Sequence, residues 1–317
     1  ISYFEQGVFP GSLSIDSKGT NANSHFYEDC FFPKVQTRLA TSFIESFLKK
    51  GETVINSSFR PVDCEIERND LISIPEKIIF FPLQLDADCN IVFHSKYFKT
   101  MKEVVLLINS SLDVMENIKL VVRVHPKADD YKVINEWLKN LGVLVVNNIP
   151  LNECLERSDF VIVLNSTVGL EAIIRQKKVF ALAKSIYSNR GLTFDYNNDL
   201  SFNYQINEFF LNYKSPDKEI INQYIAYLIS HYTYLSKEWC EAVDESMNVE
   251  FFENNKMLLL NSSILSSSNQ MKIKDWEFSV GTYTGVLIGF RSYQERSKSN
   301  HVFYIPFVDF CVTFWYG

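Results

Sequence analysis

The sequence predicts an α/β protein built on a doubly wound parallel sheet, and two features of residues 77–183 predict it. Short apolar runs recur, each long enough for one strand buried on both faces. Segments with apolar residues at helical spacing separate them, which is typical of strand–helix–strand units. The predicted strands are 77–84, 118–124, 143–146, 160–164 and 179–183, and the predicted helices are 95–115, 129–141, 150–157 and 167–175.

The segments on either side of this repeat are less regular. The pattern before it predicts a strand over 1–8, a polar loop over 11–33, a helix over 34–50 and a connector over 52–76. After it, residues 201–260 have helical spacing and residues 261–270 form a serine-rich linker. Residues 271–317 are dense in aromatic and β-branched residues, which favours a separate small β-module. Because Ile1 falls inside a predicted strand, we expect the natural chain to have further N-terminal residues.

Composition excludes several classes of protein. The chain has 317 residues, of which 46% are apolar, so it can build a sizeable core. Its formal net charge of −7 disfavours binding to nucleic acid, which requires a basic face. No apolar run reaches the length of a membrane-spanning helix, and the residues given do not predict a signal peptide. The six cysteines form no CxxC pair and do not cluster with histidine, which argues against a zinc site or a disulfide scaffold.

Polar residues with catalytic potential follow the first strand of the repeat. Gln84, Asp86 and Asp88 come directly after its apolar run. Ligands of parallel sheets bind at the carboxyl ends of the strands, so these side chains face the expected crevice. Aspartate also caps helices and closes Asx turns at such positions, and position alone leaves both roles open.

The ends of two further strands favour an anionic ligand. The segment His125-Pro126-Lys127 follows the second strand, where the proline holds its predecessor extended. Asn165, Ser166 and Thr167 follow the fourth strand and begin a helix, where hydroxyls and free backbone N–H groups form either an anion site or a plain N-cap. Glu171, one turn further on, could reach back to that cap or hydrogen-bond a ribose. Neither a GxxxxGK[ST] nor a GxGxxG motif occurs.

The ordered set of motifs resembles the capsule polysaccharide synthesis family. The motifs are EQG (5–7), IDSKGTNANS (15–24), FFPLQLDAD (80–88), VRVHPK (122–127), LNSTVGLEA (164–172) and GLTFD (191–195). The resemblance implies a GT-B-like fold of two Rossmann-type lobes and the activity of a bacterial retaining β-Kdo glycosyltransferase. The His-Pro and Ser/Thr elements are also similar to those of bacterial CMP-sialic acid transferases.

The resemblance also implies roles for individual residues. Asp88 falls on the catalytic nucleophile, Gln84 on its motif partner and Glu5 on the acidic residue of the N-terminal lobe. A nucleophile at Asp88 is expected to be an uncapped carboxylate. The residues implied to hold the nucleotide-sugar are His125, Pro126, Lys127, Asn165, Ser166, Thr167 and Glu171. No metal or other cofactor is implied.

The same resemblance assigns domains and partners. Residues 1–75 would form the acceptor-side lobe, 76–200 the donor-binding lobe, 201–262 a helical closing segment and 271–317 a small β-rich module of unknown role. The donor would be a CMP-Kdo-like sugar nucleotide, and the acceptor a cell-surface glycan or glycolipid. The implied location is cytoplasmic, with peripheral contact to the inner membrane or the capsule assembly machinery.

Two other functions remain open at this point. A UDP-sugar 2-epimerase uses a similar two-lobed fold and also gathers acids and a histidine in its cleft. A non-catalytic glycan-binding relative of a glycosyltransferase would retain the fold without turnover.

Overall fold

The computed structural model describes residues 3–9, 12–28, 37–51, 68–112, 117–128 and 130–235, and the backbone of four strands between 273 and 316. The chain forms two compact units. The first comprises residues Ile1–Ser42 and Ala226–Gly317, and the second comprises Phe43–Ile225. The four domains expected from the sequence stay predictions.

The N-terminal segment contains more regular structure than the sequence predicts. Strands β1 (Tyr3–Gln6) and β2 (Leu13–Asp16) pair antiparallel, and a 3₁₀ turn, helix α1 (His25–Glu28), helix α2 (Thr37–Gly51) and helix α3 (Arg68–Ser73) follow. The predicted strand and the predicted helix over 34–50 are confirmed. The predicted loop over 11–33 is wrong, because it contains β2 and α1. In β2 the polar Ser14 is 1% exposed and the apolar Leu13 is 40% exposed, so its pattern of hydrophobicity is the reverse of its burial.

The regular repeat forms a parallel sheet, as predicted, with six strands instead of the five expected. Its elements in chain order are β3 (Lys77–Pro82), α4 (Cys89–His94), α5 (Met101–Leu112), β4 (Ile118–Arg123), α6 (Tyr131–Asn140), β5 (Leu144–Val145), α7 (Leu151–Arg157), β6 (Phe160–Val163), α8 (Val168–Ile174), β7 (Lys178–Ala181) and β8 (Phe194–Asp195). All five predicted strands and all four predicted helices occur. Helix α4 and strand β8 were not predicted, and the helix expected over 95–115 begins only at Met101.

The strand order of this sheet is β5-β4-β3-β6-β7-β8. The chain therefore winds outward from β3 in one direction, returns to the middle at β6 and winds outward in the other. This is the doubly wound Rossmann order, whose topological switch point lies between the two central strands. Here β3 and β6 are those strands, and their residues are almost entirely buried.

Two helices follow the sheet, and the first of them packs aromatic residues against it. Ser201 is the N-cap of helix α9 (Phe202–Leu211), and its side chain accepts a hydrogen bond from the Tyr204 backbone N–H. Its Phe209 ring lies 5.4 Å from the ring of Phe180 in β7. Helix α10 spans Lys218–His231. These two helices confirm part of the helical prediction for 201–260, but residues 233–234 form strand β9 (Thr233–Tyr234) on β2 instead.

The C-terminal segment forms its own antiparallel sheet, which confirms the predicted strands; its status as a separate module stays a prediction. Its strands are β10 (Ile273–Thr282), β11 (Gly289–Gln294), β12 (Lys298–Ile305) and β13 (Val308–Tyr316), in the order β10-β13-β12-β11. The serine-rich linker over 261–270 lies outside the described residues. Within the described part of the chain, no helix has the length and apolar character needed to cross a bilayer.

Candidate functional site

Two polar side chains join the central strands of the sheet at the switch point. Gln84 Nε2 donates to Asn165 Oδ1 at 3.1 Å, and the Asn165 backbone N–H donates to Gln84 Oε1 at 3.2 Å. Asn165 Nδ2 also donates to the Asn90 backbone carbonyl in α4, at 2.7 Å. Asn165 is 2% exposed, so its amide serves mainly to hold the ends of β3, β6 and α4 together. The structure thus brings together two residues that the sequence assigned separately.

The two carboxylates after β3 both cap helices. Asp88 is the N-cap of α4, and its Oδ1 accepts from the Asn90 backbone N–H at 2.8 Å. Asp86 Oδ1 accepts from the Met101 backbone N–H at 2.7 Å, at the start of α5. The expectation of an uncapped Asp88 is therefore wrong. Each cap uses Oδ1, and no described residue hydrogen-bonds to Oδ2 of either carboxylate, so capping leaves one oxygen of each acid available.

His125 lies at the end of β4, where it interacts electrostatically with Asp88. The Lys127 backbone N–H donates to His125 Nδ1 at 3.2 Å, which places the proton of the neutral ring on Nε2. Burial lowers the pKa of His125. The negative charge of Asp88 raises this pKa, and the positive charge of Lys127 lowers it further. The imidazole is thus neutral at pH 7 and offers one N–H donor. Pro126 and Lys127 are exposed beside it.

The turn after β6 is tightly packed around Ser166. Ser166 Oγ accepts from the Val168 backbone N–H at 3.2 Å, and its carbonyl accepts from the Tyr187 hydroxyl. Gly169 lies against the Tyr187 ring, so that a Cβ at this position would collide with it. Thr167 is exposed, and its side chain makes no capping hydrogen bond. One hydroxyl therefore supports the turn, and the other faces outward at the helix start.

Glu171 forms an ion pair within its own helix. Its Oε2 lies 3.8 Å from Nη1 of Arg175, the C-cap residue of α8. Burial raises the pKa of Glu171, while the charges of Arg175 and Arg123 lower it. The carboxylate is therefore directed towards Arg175. Its implied contact with a ribose stays a prediction.

Glu5 belongs to the first unit, where it holds a loop in place. Its Oε1 accepts from the Asn21 backbone N–H at 2.7 Å and from the Tyr232 hydroxyl. Asn21 has a φ of 48°, a left-handed conformation that asparagine tolerates better than most residues. Tyr232 is distant in sequence, and nothing in the sequence pattern indicates this contact. The catalytic role that the resemblance implies for Glu5 stays a prediction.

Asp195 was not predicted to have a special environment. It lies at the end of β8, where Oδ1 accepts from the Thr193 hydroxyl at 2.8 Å and Oδ2 accepts from the Asn189 backbone N–H at 3.1 Å. Burial raises the pKa of Asp195 to about 6, although the two hydrogen bonds favour the carboxylate and act to lower it. The only sequence signal was its place in the GLTFD motif, because a two-residue strand gives no periodicity. Among the described residues, no three His, Cys, Asp or Glu side chains gather in a metal-binding arrangement.

Known proteins similar to this chain point to one family. A sequence profile described as "Capsule polysaccharide biosynthesis protein" matches residues 49–238. Protein FixF of Sinorhizobium fredii is 26% identical over 232 residues, which cover 73% of this chain and 53% of FixF. The capsule polysaccharide export protein KpsS of Escherichia coli is 23% identical over 157 residues, covering 46% of this chain and 38% of KpsS. The chain therefore spans about half or less of the length of these curated relatives.

A solved structure shares the fold. The Thermosulfurimonas dismutans KpsC beta Kdo 2,7 transferase superposes with a TM-score of 0.51 at 22% identity, covering 82% of this chain and 77% of that one. At this identity the likeness concerns the fold, and it confirms the predicted GT-B-like class. The family profile matches more than half of the residues, most of them in the unit that carries Gln84, Asp88, His125 and Asn165. The chain belongs to the capsule polysaccharide biosynthesis protein family.

Proposed function

We propose that this protein is a glycosyltransferase that moves a Kdo-type sugar from a CMP-activated donor to a capsule glycan or glycolipid. One observation carries the proposal: Asp88 and His125 interact at the ends of neighbouring parallel strands, beside the switch point where such sheets bind ligands. Membership of the capsule family and the fold shared with a Kdo transferase support it.

The nucleotide phosphate would bind between β4 and the start of α8. His125 offers its Nε2–H, and Thr167 offers an exposed hydroxyl at the beginning of the helix. An anion here would stabilise the protonated imidazole, so binding would reverse the lowering of the His125 pKa. A CMP leaving group departs as a phosphate monoester, which needs stabilisation of its negative charge more than it needs protonation. Lys127 adds a mobile positive charge at the rim.

Asp88 would act as the nucleophile of a retaining transfer. Its Oδ2 would form a bond to the anomeric carbon while the bond from that carbon to the CMP phosphate breaks. An acceptor hydroxyl would then displace Asp88 from the same carbon and lose its proton to a base. Because Oδ1 is held by the Asn90 N–H, the carboxylate would be oriented before the donor binds. The proposed base is Glu5, on the strength of the family resemblance.

A donor screen tests the proposal directly. The chain would be incubated with CMP-Kdo, CMP-sialic acid and UDP-N-acetylglucosamine, with release of each nucleotide followed over time. We expect CMP release from CMP-Kdo, faster in the presence of a Kdo-terminated acceptor. Conversion of the UDP-sugar to its 2-epimer would support the epimerase alternative. Binding of CMP without any turnover of either CMP-sugar would support the non-catalytic alternative.

Calorimetry with CMP and UMP identifies the nucleotide independently of turnover. We expect CMP to bind more tightly than UMP, and His125→Ala to weaken CMP binding at least tenfold. Lys132→Ala is a suitable control, because Lys132 is an exposed cation in α6 of the same unit. Equal affinities for CMP and UMP in a folded sample would contradict a cytidine donor.

A further inference from the structure

A cavity lies at the carboxyl ends of β7 and β8, apart from the residues assigned to the donor. Its volume is about 270 Å³, and segments around α4, β7 and β8 line it. Neither Asp88, His125 nor Ser166 contributes to its wall. Helix α4 connects the two places, because Asp88 caps its first turn and His94 is its last residue. Six helical residues span about 9 Å, so the cavity lies a short distance from Asp88.

The wall of the cavity contains a buried imidazole without a hydrogen bond. His94 is 9% exposed, and no described residue donates a hydrogen bond to its ring or accepts one from it. Burial lowers the pKa of His94, and the charge of Lys184 lowers it further. Neither ring nitrogen is fully buried, so solvent in the cavity reaches the ring and a ligand can replace that solvent. The ring is therefore available to a bound molecule.

Two cations and two aromatic rings complete the wall. Lys96 and Lys184 are both exposed at the rim. The rings of Tyr97 and Tyr196 meet edge to face with centroids 5.9 Å apart, and Tyr97 is 45% exposed. Asp195 also lines the cavity, but both of its oxygens already accept hydrogen bonds from Thr193 and Asn189. These neutral donors leave the negative charge of Asp195 in place, and the two lysines outweigh it, so the wall is net positive.

We propose that this cavity binds one carboxylated sugar unit of the glycan substrate, with its carboxylate between Lys96 and Lys184 and its ring against the two tyrosines. The volume is below the usual range for drug-sized ligands, so it suits a single sugar unit better than a sugar nucleotide. Amphipathic rings and lysines together match a molecule that has both an apolar ring face and an anionic group. This inference rests on the proposed function. It adds that the sugar unit next to the reacting unit carries a negative charge.

Ligand-observed NMR on the full chain tests the inference. The probes are the methyl glycoside of Kdo, methyl glucoside as its neutral counterpart, and inorganic phosphate. We expect the acidic glycoside to bind at least tenfold more tightly than either of the others. Lys184→Gln and Tyr97→Ala should each weaken it at least fivefold, whereas Lys132→Gln, on the exposed face of α6, should leave its affinity unchanged.

Three results would overturn the inference. One is equal binding of methyl glucoside, and another is phosphate binding as tight as that of the acidic glycoside. The third is an affinity that neither Lys184→Gln nor Tyr97→Ala changes. Because the measurement needs no turnover, it is separate from the donor screen. Lys184-dependent binding in a protein that consumes no donor would support the cavity while the proposed transferase function failed.

Discussion

Replacing Asp88 with asparagine should abolish transfer without unfolding the protein. Asparagine is as good an N-cap as aspartate, and its Oδ1 can still accept from the Asn90 N–H that lies 2.8 Å away. The substitution therefore removes one negative charge and one nucleophilic oxygen, and it retains the cap of α4. If Asp88 forms the covalent bond, we expect turnover of CMP-Kdo to fall by about 10³-fold or more, with CMP affinity within about twofold.

Three further variants separate chemistry from capping. Asp88→Ala loses the cap as well, so it should be as inactive and should also lose about 1 kcal/mol of unfolding free energy. Asp86→Asn preserves the bond to the Met101 N–H and should retain most activity. Asp86→Ala should lose stability of a similar size without a large loss of turnover. Turnover is measured as CMP release, and stability by urea denaturation of each variant.

The opposite pattern of activity would refute the reasoning. An inactive Asp86→Asn beside an active Asp88→Asn would show that the nucleophile is the first acid of the pair. If both asparagine variants remain active, neither carboxylate is the nucleophile, and the retaining mechanism is wrong as proposed. If Asp88→Asn loses more than about 2 kcal/mol of unfolding free energy, its loss of activity could come from unfolding. CMP affinity then distinguishes a folded, inactive variant from an unfolded one.

Three other predictions follow from the same unit. In NMR titrations the pKa of His125 should lie below 6.5 in the free protein and rise when CMP binds; an unchanged value would contradict phosphate contact at this residue. The pKa of Asp195 is about 6 in the folded protein, against 3.8 for the carboxyl in the unfolded chain. Its contribution to stability is therefore present below pH 4 and lost as the pH rises through 6. Between pH 5 and pH 8, the unfolding free energy of the wild type should therefore fall relative to that of Asp195→Asn by about 1.4 kcal/mol, roughly half of the change over the whole titration; parallel curves would refute the buried carboxyl. Gly169→Ala should cost about 1–3 kcal/mol in thermal or urea denaturation because its methyl group meets the Tyr187 ring, and Tyr187→Phe should restore little of this loss.

The sheet of the second unit was predictable because its strands are buried on both faces. Runs such as Phe160–Val163 contain only apolar residues, and burial then leaves few other structures available. Strands β2, β8 and β9 were not predictable because they lack such an apolar run. Strand β2 buries Ser14 and exposes Leu13, and strands β8 and β9 have two residues each. Their positions are set by pairing with neighbours that are distant in sequence.

The candidate site was predictable in position but not in its contacts. Residues that follow parallel strands must lie at one edge of the sheet, which is why Gln84, His125 and Asn165 could be named. Their pairing depends on the order of the strands: Gln84 meets Asn165 only because β6 returns beside β3. The cavity beside His94 requires three separate segments to pack together, and no spacing in the sequence indicates that.

Helix capping and catalysis need not compete at Asp88. Asn165 ties the end of β6 to Gln84 after β3 and to the Asn90 carbonyl in α4. The Asn90 N–H in turn fixes Oδ1 of Asp88. A rigid strand end thereby positions the carboxylate through two hydrogen bonds, and the same carboxylate interacts with His125 on the next strand. A nucleophile that is held in this way pays little entropy to reach its attacking geometry, so the cap is better understood as part of the proposed chemistry than as an alternative to it.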